Sequence, residues 1–316
     1  MSAAGYGIAA DIGTTTVALA LVRLSDGETV AVDSFLNPQK RYGADVIARI
    51  KNACSGHGAR IRDSIASALG ASASRLCAAS GVAPRDVVKA SVAGNTTMMH
   101  LLLGLPCEGL ARSPFTPAAI SFPDLPLSAV FTGFADCAGC VDSTATVSFS
   151  PAVSAFVGGD IVAGLASLDF GGSAGVELFV DLGTNAEMAL SSGGKVLCAS
   201  AAAGPAFEGG EVSCGSGCVP GAISSVFLEG NKFAWRLVAG VEQDSRAGQN
   251  SRAQPDLKPV GLCGSAILDL VALSLELGLV QEDGSLSPVC EESGIVLDAG
   301  LGIRMTGADV RAILLA

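Results

Sequence analysis

One strand–turn–strand pattern occurs twice in the chain, and this repeat constrains the fold more than any other feature of the sequence. The first copy begins at Gly7 and the second at Glu177, so equivalent residues lie about 170 positions apart. The shared residues are Asp11, Gly13 and Thr14 in the first copy and Asp181, Gly183 and Thr184 in the second. Solenoid repeats have periods of roughly 20–50 residues, so the wider spacing predicts two duplicated lobes.

The first of these turns is predicted to bind phosphate. A tight turn between two strands directs successive backbone N–H groups into one concavity, which suits phosphate oxygens. Gly13 permits close approach of the backbone, and the hydroxyls of Thr14, Thr15 and Thr16 add hydrogen-bond donors. Asp11 follows a strand and is expected to hold Mg²⁺ through water, since Mg²⁺ retains much of its hydration shell.

The second turn repeats the same arrangement of residue types. Its candidate residues are Asp181, Gly183, Thr184 and Asn185. Two acids that face each other across a cleft can hold the metal and orient an attacking water or an acceptor hydroxyl. A single Asp-x-Gly-Thr turn is equally typical of an ordinary β-turn, but two copies, each between strands, favour phosphate binding. The chain has no Gly-x-x-x-x-Gly-Lys-Ser/Thr loop, so the competing nucleotide-binding fold lacks support.

The hydrophobic pattern predicts an α/β chain with a lobe of residues 1–150 and a second lobe of residues 151–316. Strands are expected at Tyr6–Asp11, Val17–Leu24, Glu28–Leu36 and Val87–Ala93, and again at Val176–Asp181, Glu187–Ser191 and Lys195–Ala201. Helices are expected at Ala44–Leu69 with a break near Ser55-Gly56, after a cap at Asn95 or Thr96, at Cys263–Leu277 and from Ala308. Residues 224–238 are predicted to form a β-ribbon.

Three further loops are candidates for ligand binding, and each also has a plain structural interpretation. Gly94, Asn95 and Thr96 stand between a strand and a helix start, where anions are attracted, although a helix cap explains them equally well. Gly158-Gly159-Asp160 precedes an apolar helix and is suited to capping it or lining the cleft. The loop at residues 203–210 contains Gly204, Glu208 and Gly209, which are candidates for cofactor binding. A tight loop without a ligand explains these residues equally well.

Charge and composition exclude several classes of function. The formal net charge is −11 and aromatic residues make up 5% of the chain, so broad nucleic-acid or membrane-surface binding is not expected. No signal sequence and no membrane-spanning run is recognised, which predicts a cytoplasmic protein. The ten cysteines are expected to be reduced, mostly buried thiols. Cys137 and Cys140 form one CxxC pair without a second pair at zinc spacing, so a metal role for them is poorly supported.

Several segments resemble the ATPase module of the reductive activators of corrinoid-dependent proteins. This family belongs to the actin, sugar-kinase and heat-shock-chaperone superfamily. The matching segments are Ala10–Thr16, Asn37–Gln39, Tyr42–Ile47, Gly94–His100, Gly159-Asp160, Asp181–Asn185, Ala203–Gly210 and Gly261–Ser265, in the expected order over nearly the whole chain. The resemblance implies a two-lobed, duplicated ribonuclease-H-like fold of the actin and sugar-kinase type.

The resemblance also implies an activity and its partners. It implies ATP-dependent reduction of a corrinoid protein from Co(II) to Co(I), with ATP and Mg²⁺ bound at the two turns and with Asp11 and Asp181 as catalytic and metal-binding acids. An electron donor is required, and the ferredoxin spacing of cysteines is absent, so the iron–sulfur cluster is expected on another domain or protein. A homodimer is compatible with the family.

The sequence departs from the superfamily pattern at one further point. The second lobe is expected to be incomplete, because the Gly-Gly turn that holds adenosine is not found after the Asp181 hairpin. Two alternatives therefore stay open beside corrinoid activation. One is a small-molecule kinase of the same superfamily, and the other is a non-catalytic module that binds a corrinoid protein.

Overall fold

The computed structural model describes residues 5–134, 144–173, 175–183, 185–204, 206, 212–230, 232–238 and 258–315. These residues form two compact units. The first unit holds the described residues up to Phe179 together with Met188–Ala199. The second holds Val180–Glu187 and the described residues from Ser200 onward. The sequence-predicted boundary at residue 150 stays a prediction.

The first unit begins with three strands and continues as alternating helices and strands. Its elements are β1 (Tyr6–Ile12), β2 (Thr16–Arg23), β3 (Thr29–Leu36), α1 (Val46–Asn52), α2 (Gly58–Ser80), β4 (Val87–Gly94), α3 (Thr96–Leu103), β5 (Leu125–Pro126), α4 (Leu127–Val130), β6 (Thr146–Phe149) and α5 (Gly159–Ser167). The order of strands in its six-stranded sheet is β3-β2-β1-β4-β6-β5. β1 runs antiparallel to β2 and parallel to β4, and β4 runs parallel to β6. The carboxyl ends of β1, β4 and β6 therefore lie at the same edge of the sheet.

The core of the first unit lies between one face of this sheet and helix α2. Alternate residues of β1, including Ile8 and Ile12, point into the core, as the two-residue period of a strand requires. On α2 a stripe at helical spacing is buried, comprising Ile61, Ile65, Leu69, Ala73, Leu76 and Cys77. Each fully buried Leu or Ile side chain contributes about 1.5–3 kcal/mol. The sheet and its helix are thus held together mainly by apolar burial.

The helical region between β3 and β4 confirms one prediction and corrects another. The predicted break is present, because the chain kinks within Ala53–His57, where Ser55 and Gly56 have non-helical backbone angles. Gly56 has φ +92°, a conformation that favours glycine. The predicted end of the helix near Leu69 is wrong, because the helix continues to Ser80. The reason is that the apolar stripe persists for two more turns and stays buried, until Gly81 at φ +65° terminates the helix.

The second copy of the repeat forms a separate three-stranded sheet. Its strands are β7 (Glu177–Leu182), β8 (Asn185–Ser192) and β9 (Lys195–Ala202), paired in the order β7-β8-β9. Gly193 and Gly194 join β8 to β9, and both have positive φ angles of 58° and 74°. Two-residue hairpin loops with positive φ at both positions match the twist of the flanking strands. The hairpin predicted at this point is confirmed.

The remaining elements belong to the second unit and have their own core. They are β10 (Ala222–Glu229), β11 (Lys232–Leu237), β12 (Gly261–Leu262), α6 (Gly264–Glu276), β13 (Ile295–Asp298), β14 (Ile303–Met305) and α7 (Gly307–Leu315). β10 pairs antiparallel with β11 and parallel with β12, which confirms the predicted ribbon. Ile267 and Leu270 of α6 pack into a cluster that also contains Met305. No helix in the described part of the chain is long and apolar enough to cross a membrane.

A buried carboxylate anchors the start of α7 in the second unit. Asp309 accepts hydrogen bonds from the backbone N–H and the hydroxyl of Ser213 at 2.6 and 2.7 Å. It also accepts from the backbone N–H and the hydroxyl of Thr306, both at 2.7 Å. Burial alone raises the pKa of a carboxyl group, but these hydrogen bonds outweigh burial, so the pKa of Asp309 lies below its ordinary value.

Candidate functional site

The first predicted phosphate turn lies at the carboxyl edge of the parallel strands of the first unit. Gly13 follows β1, Asn95 follows β4, and the loop after β6 leads to Gly158. A Cβ atom on Gly158 would lie only 2.4 Å from Cα of Asn95, so this glycine permits the loop after β6 to reach the start of α3. Open α/β sheets bind ligands at this edge. Three of the predicted segments are therefore brought together within one unit.

Three successive carbonyl groups of the first turn, those of Gly13, Thr14 and Thr15, accept hydrogen bonds from other parts of the protein. The side-chain amide of Asn37 donates to the carbonyl oxygen of Gly13 at 2.8 Å, and its backbone N–H donates to that of Thr15 at 2.8 Å. The guanidinium group of Arg49 donates to the carbonyl oxygen of Thr14 at 2.7 Å. In a planar trans peptide the N–H group points away from the C=O group. The N–H groups of Thr14 and Thr15 are thus directed away from these donors.

The threonine side chains of the first turn differ in their surroundings. Thr14 is buried, and its hydroxyl oxygen accepts a hydrogen bond from the side-chain amide of Asn95 at 3.0 Å. Its hydroxyl proton remains available for donation. Thr15 and Thr16 are partly exposed. The turn therefore combines one buried threonine, which is held by Asn95, with two threonines that are partly exposed.

Two of the predicted glycines are required by the packing of the chain itself. A Cβ atom on Gly13 would lie 2.4 Å from the carbonyl oxygen of Thr16, and one on Gly94 would lie 2.9 Å from that of Ile12. Real Cβ atoms do not approach backbone oxygen atoms as closely as 2.4 Å. Gly13 is thus explained by the tightness of the turn, before any ligand is considered.

Asp11 lies on the face of the sheet opposite the core. Its side chain is exposed, and its neighbours across the sheet are Ala18 on β2 and Ala93 on β4. Both neighbours are alanines, whose side chains are short. An exposed carboxylate beside small residues suits a metal ion that retains bound water.

Arg49 holds the first turn in place, and sequence reasoning missed it. Its side chain is fully buried and also donates to the carbonyl oxygen of Gly43 at 2.9 Å, and it contacts the sulfur of Met98 at 3.3 Å. The signal was present in the sequence, because Arg49 precedes Ile50 on the apolar face of the predicted helix. A cation at an apolar helix position indicates a partner inside the fold.

Asn95 and Thr96 stabilise the start of α3, as the helix-cap interpretation of these residues predicts. The side chain of Asn95 accepts from the backbone N–H of Met98 at 2.9 Å, which confirms the predicted N-cap. The hydroxyl of Thr96 is buried and donates to the carbonyl oxygen of Ser154 at 2.6 Å. Asn95 also contacts Thr14, so the cap and the first turn form one hydrogen-bonded unit.

The second predicted turn is only partly described. Asp181 is exposed near the end of β7, and the backbone N–H of Gly183 donates to the carbonyl oxygen of Asn185 at 2.9 Å. Thr184 lies outside the described residues. Asn185 begins β8 and is partly exposed. The backbone therefore turns between the two strands as predicted.

Other candidate residues of the second half are described only in part. Gly204 has φ +88°, a conformation that favours glycine. Glu208 and Gly209 lie outside the described residues, as do Cys137 and Cys140. Among the residues that the structure describes, no group of three or more His, Cys, Asp or Glu side chains is placed to hold a metal ion.

Two family models match the chain in succession. The model described as the RACo middle region matches residues 6–173, and the model described as the C-terminal domain of RACo, the ASKHA domain, matches residues 175–312. A solved structure, "Reductive activator for corrinoid,iron-sulfur protein", superposes with a TM-score of 0.81 at 30% identity. That match covers 99% of this chain and 49% of the solved one.

Curated relatives match over similar regions. The corrinoid activation enzyme RamQ of Eubacterium limosum is 32% identical over 287 residues, which cover 89% of this chain and 43% of the relative. The "[Co(II) methylated amine-specific corrinoid protein] reductase" of Methanosarcina barkeri is 32% identical over 177 residues, 53% of this chain and 31% of the relative. The chain thus spans less than half the length of the curated relatives it matches. On the evidence of the family models and the superposed fold, the chain belongs to the RACo family and has the α/β ASKHA, or actin-like, fold.

Proposed function

We propose that the chain is the nucleotide-binding part of an ATP-dependent activator that reduces a corrinoid protein from Co(II) to Co(I). The observation that carries the proposal is the first turn, whose three carbonyl groups are held by Asn37 and Arg49 so that its N–H groups are oriented for an anion. ASKHA domains suggest nucleotide binding, and the relatives are named as activators or reductases of corrinoid proteins. The turn and the ASKHA domain support nucleotide binding, and the names of the relatives support the class of reaction.

The two turns are proposed to bind one Mg²⁺·ATP. Asp11 and Asp181 hold the metal through water and orient the attacking water, while backbone N–H groups bind phosphate oxygens. The remaining proposed cofactor-binding residues are Gly13, Thr14, Thr15, Thr16, Gly94, Asn95, Thr96, Gly183, Thr184, Asn185, Gly204, Glu208 and Gly209. Within this set, Asn95 acts by positioning Thr14, and Thr96 acts by anchoring the start of α3.

Nucleotide binding is proposed to make an unfavourable electron transfer possible. Each ~59 mV in a one-electron couple changes the equilibrium constant tenfold, or about 1.4 kcal/mol, so a low-potential Co(II)/Co(I) couple resists ordinary donors. Closure of the lobes on ATP and docking on the corrinoid protein favour the more easily reduced state of the cobalt. One electron converts Co(II) to Co(I), and we place the iron–sulfur cluster that supplies it outside this chain. The corrinoid protein, the electron donor and a second copy of the chain are the proposed partners, and the cytoplasm is the proposed compartment.

The test combines the purified chain with Mg²⁺·ATP, a low-potential chemical reductant and a methylated amine-specific corrinoid protein in the Co(II) state. We expect Co(I) absorbance to appear with ATP and not without it. The variant Asp11→Asn removes a metal-binding carboxylate and is expected to slow the ATP-dependent reduction about 100-fold.

The matched control is Asp63→Asn, which changes an exposed Asp of the same unit on helix α2. This variant is expected to reduce the corrinoid protein at the wild-type rate. A Co(I) signal that is independent of ATP, or an equal loss in both variants, contradicts the proposal. Phosphorylation of a hydroxylated metabolite without any protein partner supports the kinase alternative instead.

A further inference from the structure

Two cysteine thiols of the second unit are in hydrogen-bonding contact with each other. Cys263 is the N-cap residue of α6 and is buried, whereas Cys218 is exposed on the turn that precedes β10. The two sulfur atoms share a hydrogen bond, and the hydroxyl of Ser265 lies 3.2 Å from the sulfur of Cys263. The two residues are 45 positions apart, so their contact is a product of the fold.

Backbone hydrogen bonds hold the two cysteine-bearing segments against each other. The N–H group of Leu262 donates to the carbonyl oxygen of Cys214 at 2.8 Å, and that of Ser216 donates to the carbonyl oxygen of Leu262 at 2.8 Å. The N–H group of Cys263 donates to the carbonyl oxygen of Ile223 at 2.9 Å. These hydrogen bonds attach the segment that carries Cys218 to the strand that leads into Cys263. They therefore define the backbone positions of the two cysteines relative to each other.

The surroundings make the two thiols chemically unequal. The hydrogen bond from Cys218 lowers the pKa of Cys263, against the opposing effect of burial, and the N–H groups of Ser265 and Ala266 at the start of α6 lower it further. The same hydrogen bond raises the pKa of Cys218. Cys263 is therefore the more readily ionised thiol of the pair. Nearby Cys214 is a poor nucleophile, because burial raises its pKa to about 11.

We propose that Cys218 and Cys263 are a redox modification site at which a hydroperoxide closes a reversible disulfide. The sulfur of Cys263 attacks one oxygen atom of the peroxide, the O–O bond breaks, and hydroxide leaves and takes up a proton to become water. The sulfur of Cys218 then attacks the resulting sulfenic acid, an S–S bond forms, and a second water leaves. Two thiols and one hydrogen peroxide yield one disulfide and two waters, and a dithiol reductant reverses the change.

The disulfide is expected to hold the turn that carries Cys218 against the start of α6. That turn lies between the loop at residues 203–210, a proposed cofactor-binding segment, and β10. The inference does not depend on nucleotide binding, because it follows from the contact of the two thiols alone. Failure of one proposal therefore leaves the other standing.

The test maps disulfides in the whole purified chain. Fully reduced protein is treated with hydrogen peroxide, remaining thiols are alkylated, and peptides are identified by mass spectrometry after digestion with trypsin and Glu-C. We expect a peptide that joins Cys218 to Cys263 and that dithiothreitol removes. We also expect alkylation of Cys263 to fall roughly tenfold after peroxide and to recover after reduction.

Three single variants serve as controls. Cys218→Ser changes an exposed residue and is expected to abolish the cross-link, so that Cys263 accumulates as sulfenic acid, which dimedone traps. Cys214→Ser leaves the proposed pair intact and is expected to retain the cross-link. Cys54→Ser removes an exposed thiol of the first unit and is likewise expected to retain the cross-link. A Cys214–Cys218 cross-link, or undiminished alkylation of Cys263 after peroxide, overturns the proposal.

Discussion

The two copies of the strand–turn–strand repeat share a local sequence pattern but differ in burial. In β1, Ile8 and Ile12 are 2% and 0% exposed. In β7, Leu178 and Leu182 are 65% and 45% exposed. Leu182 follows Asp181 as Ile12 follows Asp11, so equivalent positions of the two copies have different surroundings. The local pattern alone does not determine how much of each strand is buried.

The difference follows from the neighbours of each strand. β1 lies between β2 and β4, with α2 packed on its core face. β7 is the edge strand of its three-stranded sheet among the described residues. Apolar residues and a Gly-Thr turn suffice to form a strand–turn–strand unit, but elements distant in sequence supply the burial. The first copy is therefore expected to depend more strongly on apolar packing than the second.

The largest expected effect is a difference in the free energy of unfolding between variants at equivalent apolar residues of the two copies. Ile12→Ala removes a fully buried side chain and is expected to lower the free energy of unfolding by about 2–5 kcal/mol. Leu182→Ala removes a side chain that is 45% exposed and is expected to cost below about 1 kcal/mol. Urea unfolding followed by far-UV circular dichroism measures both changes. Equal losses would show that the described burial does not distinguish the two strands.

The prediction of intermediate size concerns hydrogen bonds to Asp309. It tests whether polar contacts outside the Asp181 turn stabilise the second unit. Asp309→Asn replaces a buried carboxylate that accepts four hydrogen bonds, and it is expected to cost about 1–3 kcal/mol at pH 7. Fluorescence of Trp235, the single tryptophan, reports unfolding of this unit.

The pH dependence of the Asp309 variant has a definite sign. Because folding lowers the pKa of Asp309, its charged form contributes stability above the unfolded pKa of about 3.9, and this contribution is lost as pH falls through the folded pKa. The difference between wild type and Asp309→Asn is therefore expected to shrink below about pH 4. A difference that stays constant down to pH 2 would mean that Asp309 does not titrate as described.

The smallest expected effect concerns the support of the first turn. Asn37→Ala removes the donor to the carbonyl oxygen of Gly13 and is expected to weaken Mg²⁺·ATP binding roughly tenfold, equivalent to about 1.4 kcal/mol. Asn52→Ala is the matched control, because Asn52 also donates to backbone carbonyl groups, those of Tyr42 and Ala48, but to none of the turn. Isothermal titration calorimetry measures both affinities. Similar affinities for the two variants would show that the hydrogen bond from Asn37 to the turn does not contribute to Mg²⁺·ATP binding.

The strands, the helix break, the Asn95 cap and the hairpin at Gly193-Gly194 were predictable, because local sequence determines each of them. Periodicity, cap residues and glycines at positive φ act over a few residues. The buried Arg49 and the contact of Cys218 with Cys263 were not predicted, because both depend on segments that only the fold brings together. The first turn was correctly placed between two strands, but its support by Asn37 and Arg49 depends on residues more than 20 positions away.

The most direct test of the central claim is hydrogen exchange of the backbone amides in both turns, measured with and without Mg²⁺·ATP. If one triphosphate and its metal engage both copies of the repeat, exchange slows at Gly13–Thr16 and at residues 183–185 over the same range of nucleotide concentration, and EDTA weakens both effects. Protection at one turn alone, or at neither, would contradict the claim that the duplicated turns form a single nucleotide site.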